Sequence, residues 1–144
     1  MGKRSGANGG VVINKASTAG VESFPLAPTF AATKHAIVSL TRNLGSPRHY
    51  SHTGLRVVAL CPGVSADVCK VSPYSQQFIK YKKETVLPLE CLREPGVENI
   101  GKAVVQLVCF APSGTIWTLE GSVLSRIDIP PSKSYLKLKK SFKM

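Results

Sequence analysis

A chain of 144 residues is long enough to bury one core and too short for two ordinary domains. Hydrophobic residues make up 43% of it, which excludes wholesale disorder, and its longest apolar runs are a handful of residues, which excludes a bilayer-spanning helix. Lys and Arg outnumber Asp and Glu 19 to 8; that excess draws anionic partners generally and specifies neither nucleic acid nor membrane.

The chain opens on Met1-Gly2-Lys3-Arg4-Ser5-Gly6. Asn14 and Lys15 interrupt the apolar run that a signal peptide requires, and Gly6 replaces the hydroxyl residue of a myristoylation site, so a cytoplasmic protein is expected. Gly6-Ala7-Asn8-Gly9-Gly10 looks like a phosphate loop but precedes a strand instead of following one, and reads as a connector. Val11 to Ala16, opened by the β-branched apolar residues Val11-Val12-Ile13, suits a buried parallel strand. Gly20 to Pro28 reads as a loop.

From Thr29 to Leu44, Phe30, Ile37, Val38, Leu40 and Leu44 recur at helical spacing, and Gly45 with Pro47 stops the helix. Leu55 to Cys61 is a second strand, closed by Pro62-Gly63, completing a βαβ unit. Residues 64–94 are irregular. Glu94-Pro95-Gly96 turns into a helix over 97–110, with Ile100, Val104, Leu107 and Val108 along one face. A third strand follows at 115–119, anchored by Trp117. The tail over 131–144 alternates lysines with Leu136, Leu138 and Phe142. The four cysteines form no C-x-x-C pair and have no His at ligand spacing, so no metal site is expected.

Ser17 lies just beyond the first strand. Thirteen positions later comes Phe30, and four after that Lys34, one helical turn on and able to reach the same point. This Ser, aromatic-x-x-x-Lys pattern resembles the active-site segment of the short-chain dehydrogenase/reductase family, which carries Ser and Tyr-x-x-x-Lys. The flanking Gly9-Gly10-Val11-Val12-Ile13-Asn14 and Val57-Val58-Ala59-Leu60-Cys61-Pro62-Gly63 are most similar to the branch of 15-hydroxyprostaglandin dehydrogenase and related alcohol dehydrogenases. The resemblance covers residues 8–70 well and continues loosely to about 130.

It implies an α/β fold, the C-terminal part of a Rossmann-like doubly wound parallel sheet, with a partial dehydrogenase domain over 1–130 and a lid-like region over 64–94; the basic tail over 131–144 stands apart from the resemblance. It further implies NAD as cofactor and a small hydroxylated substrate. Ser17 would orient the substrate oxygen, Lys34 would lower a tyrosine pKa and bind the nicotinamide ribose, and Pro62, Gly63 and Val64 would meet the carboxamide.

Two departures predict impairment. Phe30 stands at the catalytic tyrosine position with no oxygen or exchangeable proton, and neighbouring His35 points about 100° away around the helix. Asp67 stands where the family has Thr, placing a carboxylate near a pyrophosphate. The sequence also contains no glycine-turn half to cradle a dinucleotide. The expectation is therefore an inactive relative whose first strand has an exposed edge, pairing with a second copy or a longer relative through that edge and helix 29–44. An active NAD-dependent oxidoreductase forming part of a longer product and a basic-tail module for anionic partners stand as alternatives.

Overall fold

The computed structural model describes residues 2, 6–25, 27–63 and 95–129. The 64–94 region with Val64 and Asp67, and the 131–144 tail, lie outside the described residues. Strand β1 (Gly10–Lys15) leads through a 3-10 turn at Thr18–Gly20 to helix α1 (Pro28–Leu44). A short helix α2 (Pro47–Thr53) and strand β2 (Leu55–Pro62) follow. Helix α3 (Val97–Phe110) precedes strands β3 (Ile116–Glu120) and β4 (Val123–Ile127).

The strands form one sheet in the order β1-β2-β3-β4. The first three are parallel, with Gly10 opposite Leu55 and Ala59 opposite Ile116. The α/β class, the parallel sheet and the two long helices all match the sequence expectation.

Alternation along β2 builds a three-layer core, because successive strand side chains point to opposite faces. Val58 and Leu60 pack with Ala103, Leu107 and Ala111 from the α3 side. Ala59 and Cys61 pack with Val38, Ala16 and Ile116 on the α1 side. A strand buried on both faces has no polar positions to spare, which explains the unbroken Val57-Val58-Ala59-Leu60-Cys61 run.

Polar groups at the seams are satisfied. Asn14 Nδ2 donates to Thr41 Oγ1 at 2.9 Å, and that hydroxyl donates to the Ile37 carbonyl, fixing β1 against the C-terminal part of α1. On the other face, Arg56 donates to the carbonyls of Ala111 and Val108, holding the end of α3, where a cation is favoured by the helix dipole.

The sheet departs from the reading by sequence in four places. Val108, assigned above to the inner stripe of α3, is 43% exposed; the buried residues of that helix are Ala103 and Leu107. In α1 the buried positions are Ala31, Val38 and Thr41, and Leu40 and Leu44 lie outside them, exposed. Pro47 both follows the end of α1 and opens α2, as proline's fixed φ allows at a first helical position. Gly121, at φ +57, turns the chain in two residues from Glu120 to Val123, creating the antiparallel strand β4.

Candidate active site at the carboxyl ends of the strands

Ser17, Lys34, Pro62 and Gly63 gather near the carboxyl ends of β1 and β2, the end where parallel α/β sheets place ligands. Ser17 is reached directly from β1: Ala16 N–H donates to the Leu60 carbonyl at 2.8 Å, prolonging the pairing by one residue. Its backbone stays extended (φ −167°, ψ 161°) and caps the 3-10 turn. The Ser17 Oγ accepts from Ala19 N–H at 3.3 Å, which orients the hydroxyl and leaves its own proton available to donate. The residue is 5% exposed.

The turn is held hard against α1. A Cβ on Gly20 would lie 2.7 Å from the Lys34 carbonyl oxygen and 2.8 Å from its carbon. Only glycine permits this approach, and it sets the distance between the Ser17 segment and the Lys34 turn. We expect Gly20→Ala to lift the turn from the helix and destabilise the fold by about 1–3 kcal/mol, the usual cost of overpacking. Urea unfolding checks this; an unchanged midpoint would show that the turn does not depend on the contact.

On α1 the one-turn spacing does what it predicts. Lys34 Nζ lies 5.3 Å from the centroid of the Phe30 ring, within cation–π range. Phe24 meets the same ring edge to face, with centroids 6.4 Å apart and planes at 63°. The ammonium thus lies over the ring at position 30, which carries no phenol oxygen to meet it. His35 instead places Nδ1 2.9 Å from the Ala31 carbonyl and is exposed.

Sequence reasoning gave no functional weight to Cys61, which is fully buried at the end of β2. Burial pushes its thiol up to about 11, against weaker opposing pulls from a hydrogen bond with the Ser17 backbone and from the Lys34 charge. The thiol therefore shares its surroundings with both site residues. Its only signal in sequence was its position immediately before Pro62-Gly63.

The unfolded thiol titrates near 9.0 and the folded one at about 11. Between those values the unfolded chain has lost a proton that the folded chain keeps. Stability is therefore full below pH 9 and falls as pH rises toward 11, by up to ~3 kcal/mol at 1.36 kcal/mol per unit. Cys61→Ala should remove that part of the alkaline slope in urea unfolding. Identical slopes for the two proteins would contradict it.

Pro62 has no N–H, and Gly63 N–H is already donated to the Leu119 carbonyl at 2.8 Å. These two residues thus offer carbonyls but no free donor to a nicotinamide carboxamide. Lys34, half-buried, fits a sugar hydroxyl. Among the described residues there is no group of three His, Cys, Asp or Glu placed to hold a metal ion.

The short chain dehydrogenase family model matches residues 3–72, a stretch containing β1, α1, β2 and every site residue just described. Alcohol dehydrogenase 1 of Ceratitis capitata is 32% identical over 127 residues, 88% of this chain and 49% of that protein. The chain belongs to the short-chain dehydrogenase/reductase family. Alcohol dehydrogenase 1 of Ceratitis cosyra is 30% identical over the same shares. The alcohol dehydrogenase-related 31 kDa protein of Drosophila guanche is 24% identical over 129 residues, 90% of this chain and 46% of that protein. The chain spans about half the length of the curated relatives it matches. No helix among its described residues is long and apolar enough to cross a membrane.

Proposed function

We propose that this member of an oxidoreductase family keeps the substrate-orienting serine and the lysine of an alcohol dehydrogenase site but is impaired in alcohol oxidation. One observation carries the reading: Lys34 Nζ sits over the Phe30 ring, so the charge that would stabilise a tyrosinate faces a side chain that cannot ionise. Ser17 then positions a substrate oxygen whose proton has no acceptor at position 30. General acid–base catalysis contributes about 10²–10⁴ in rate, and that is the size of the deficit proposed.

NAD is the cofactor proposed from the family. It would supply the hydride acceptor, with Lys34 at its nicotinamide ribose. Because Gly63 N–H is taken, the carboxamide's acceptor would need a donor other than Pro62 or Gly63. The relatives named alcohol dehydrogenase support an alcohol as the proposed substrate class. β1 is the outer strand of the described sheet, and its edge is the proposed meeting place for the other half of the family fold, whichever polypeptide carries that half.

The test joins this chain behind the region of a Ceratitis alcohol dehydrogenase that lies before the matched half. NADH formation is then followed over a panel of secondary alcohols. The fusion is expected to bind NAD and turn over at a small fraction of the relative's rate. Turnover equal to the relative's would overturn the reading.

A further inference from the structure

At the opposite end of the sheet from Ser17 and Lys34, a cavity of about 310 Å³ opens between the end of α1 and the β3–β4 pair. Its size is at the small end of the roughly 300–1,000 Å³ typical of ligand pockets. Its lining is amphipathic. Ile116, buried, and Ile127 and Ile129, half-buried, supply an apolar side, and Arg42 and Ser46 stand on the α1 side.

The charges leave a single positive excess. Arg126 is engaged with Asp128, its Nη2 at 2.9 Å and its Nε at 3.1 Å from Oδ1. Arg42 has no ion pair among the described residues. Nor is it needed to cap its own helix, since the carbonyls of Thr41 and Asn43 already accept from Gly45 and Ser46 N–H. Thr115 is spent: its hydroxyl donates to the Pro112 carbonyl and accepts from Trp117. Ser46 makes no capping bond with its side chain, and the Ser113 hydroxyl accepts from Val57 N–H with its proton still to give. One guanidinium and two hydroxyl donors beside three isoleucines describe a receptor for a single anionic head on an apolar body.

We propose that this cavity binds a small hydrophobic carboxylate, with the carboxylate on Arg42 and Ser46 and the alkyl or aryl part on Ile116, Ile127 and Ile129. The binding site is separate from the dehydrogenase-type site. It does not rest on the functional reading above.

The experiment titrates octanoate, octan-1-ol and inorganic phosphate into the full 144-residue chain at near-physiological salt, with calorimetry for affinity and methyl NMR for location. Octanoate is expected to bind saturably and to shift the methyl signals of Ile127 and Ile129. Octan-1-ol lacks the charge and phosphate lacks the apolar body, so each is expected to bind at least about tenfold more weakly. Arg42→Gln, a change at an exposed position, should weaken octanoate by about tenfold or more through loss of a charge-assisted bond, with an unchanged thermal melt.

The proposal is overturned if octanoate does not bind at millimolar concentration, or if octan-1-ol matches it. It is equally overturned if phosphate binds as tightly, which would mark a plain anion site, or if Arg42→Gln retains full affinity. The ligand series on the unaltered protein decides the matter even if the variant folds poorly.

Discussion

In the fusion with a relative's preceding half, Phe30→Tyr is expected to raise NAD-dependent alcohol oxidation by about 10²–10⁴, the range of general acid–base catalysis. The substitution adds one oxygen to a ring that Lys34 already overhangs at 5.3 Å from its centroid. A tyrosine ionises near pH 10 in water, and an ammonium beside it favours the phenolate. The gain should appear in kcat more than in KM, because the proton moves in the transition state. Adding Phe30→Tyr and the nucleotide-binding half should therefore be strongly non-additive: each alone leaves either the proton or the hydride without an acceptor. A fusion carrying Phe30 that matched the Phe30→Tyr version would show that another group takes the proton.

The second large effect concerns the fold. Leu107→Ala is expected to destabilise the chain by about 2–5 kcal/mol, as large-to-small changes at buried leucines do. Leu107 is 1% exposed and packs against Val58, Leu60 and Leu119, so the void would open where α3 meets the sheet. Domains of this kind have only about 5–15 kcal/mol in hand, and the variant should lose much of its urea resistance. Leu40→Ala, at a residue 52% exposed, serves as the matched comparison and should change stability by no more than about 0.5 kcal/mol. Equal losses from the two would mean that α3 does not close the core.

What the sequence disclosed follows from how many residues each feature repeats. The β-branched run of β1, the fully buried run of β2 and the stop at Gly45 are each written several times over, and they emerged within one residue or so of their structural limits. Val108 was misplaced because valines occur all round α3: Val97, Val105 and Val108 are exposed, so periodicity alone could not pick the inward stripe. The α3 stripe is instead set by small Ala103, which lets the helix lie close to the sheet. β4 was signalled by Gly121-Ser122 between apolar residues, a two-residue hairpin pattern, but a strand with mostly exposed side chains carries little apolar alternation to reinforce it.

The site was legible to the extent that it is local. Phe30 and Lys34 share a helix, and helical geometry alone fixes their juxtaposition. Ser17 is brought to their end of the sheet by the β1–β2 register and by the glycine contact at position 20, neither of which one segment's pattern contains. Cys61 depends on burial from two elements at once. The bond that occupies Gly63 N–H reaches Leu119, 56 residues along in the numbering, and no spacing rule anticipates it.

In the proposed function Lys34 acts on position 30, where the proton-accepting oxygen is missing. Phe30→Tyr in the 144-residue chain tests it without any cofactor, through the ultraviolet absorbance that phenols gain on ionising, taken as the difference between variant and parent across a pH titration. The introduced phenol is expected to ionise below the ordinary value near 10, and Lys34→Met to move its pKa back up. A phenol that titrates at or above 10 and ignores Lys34→Met would contradict it.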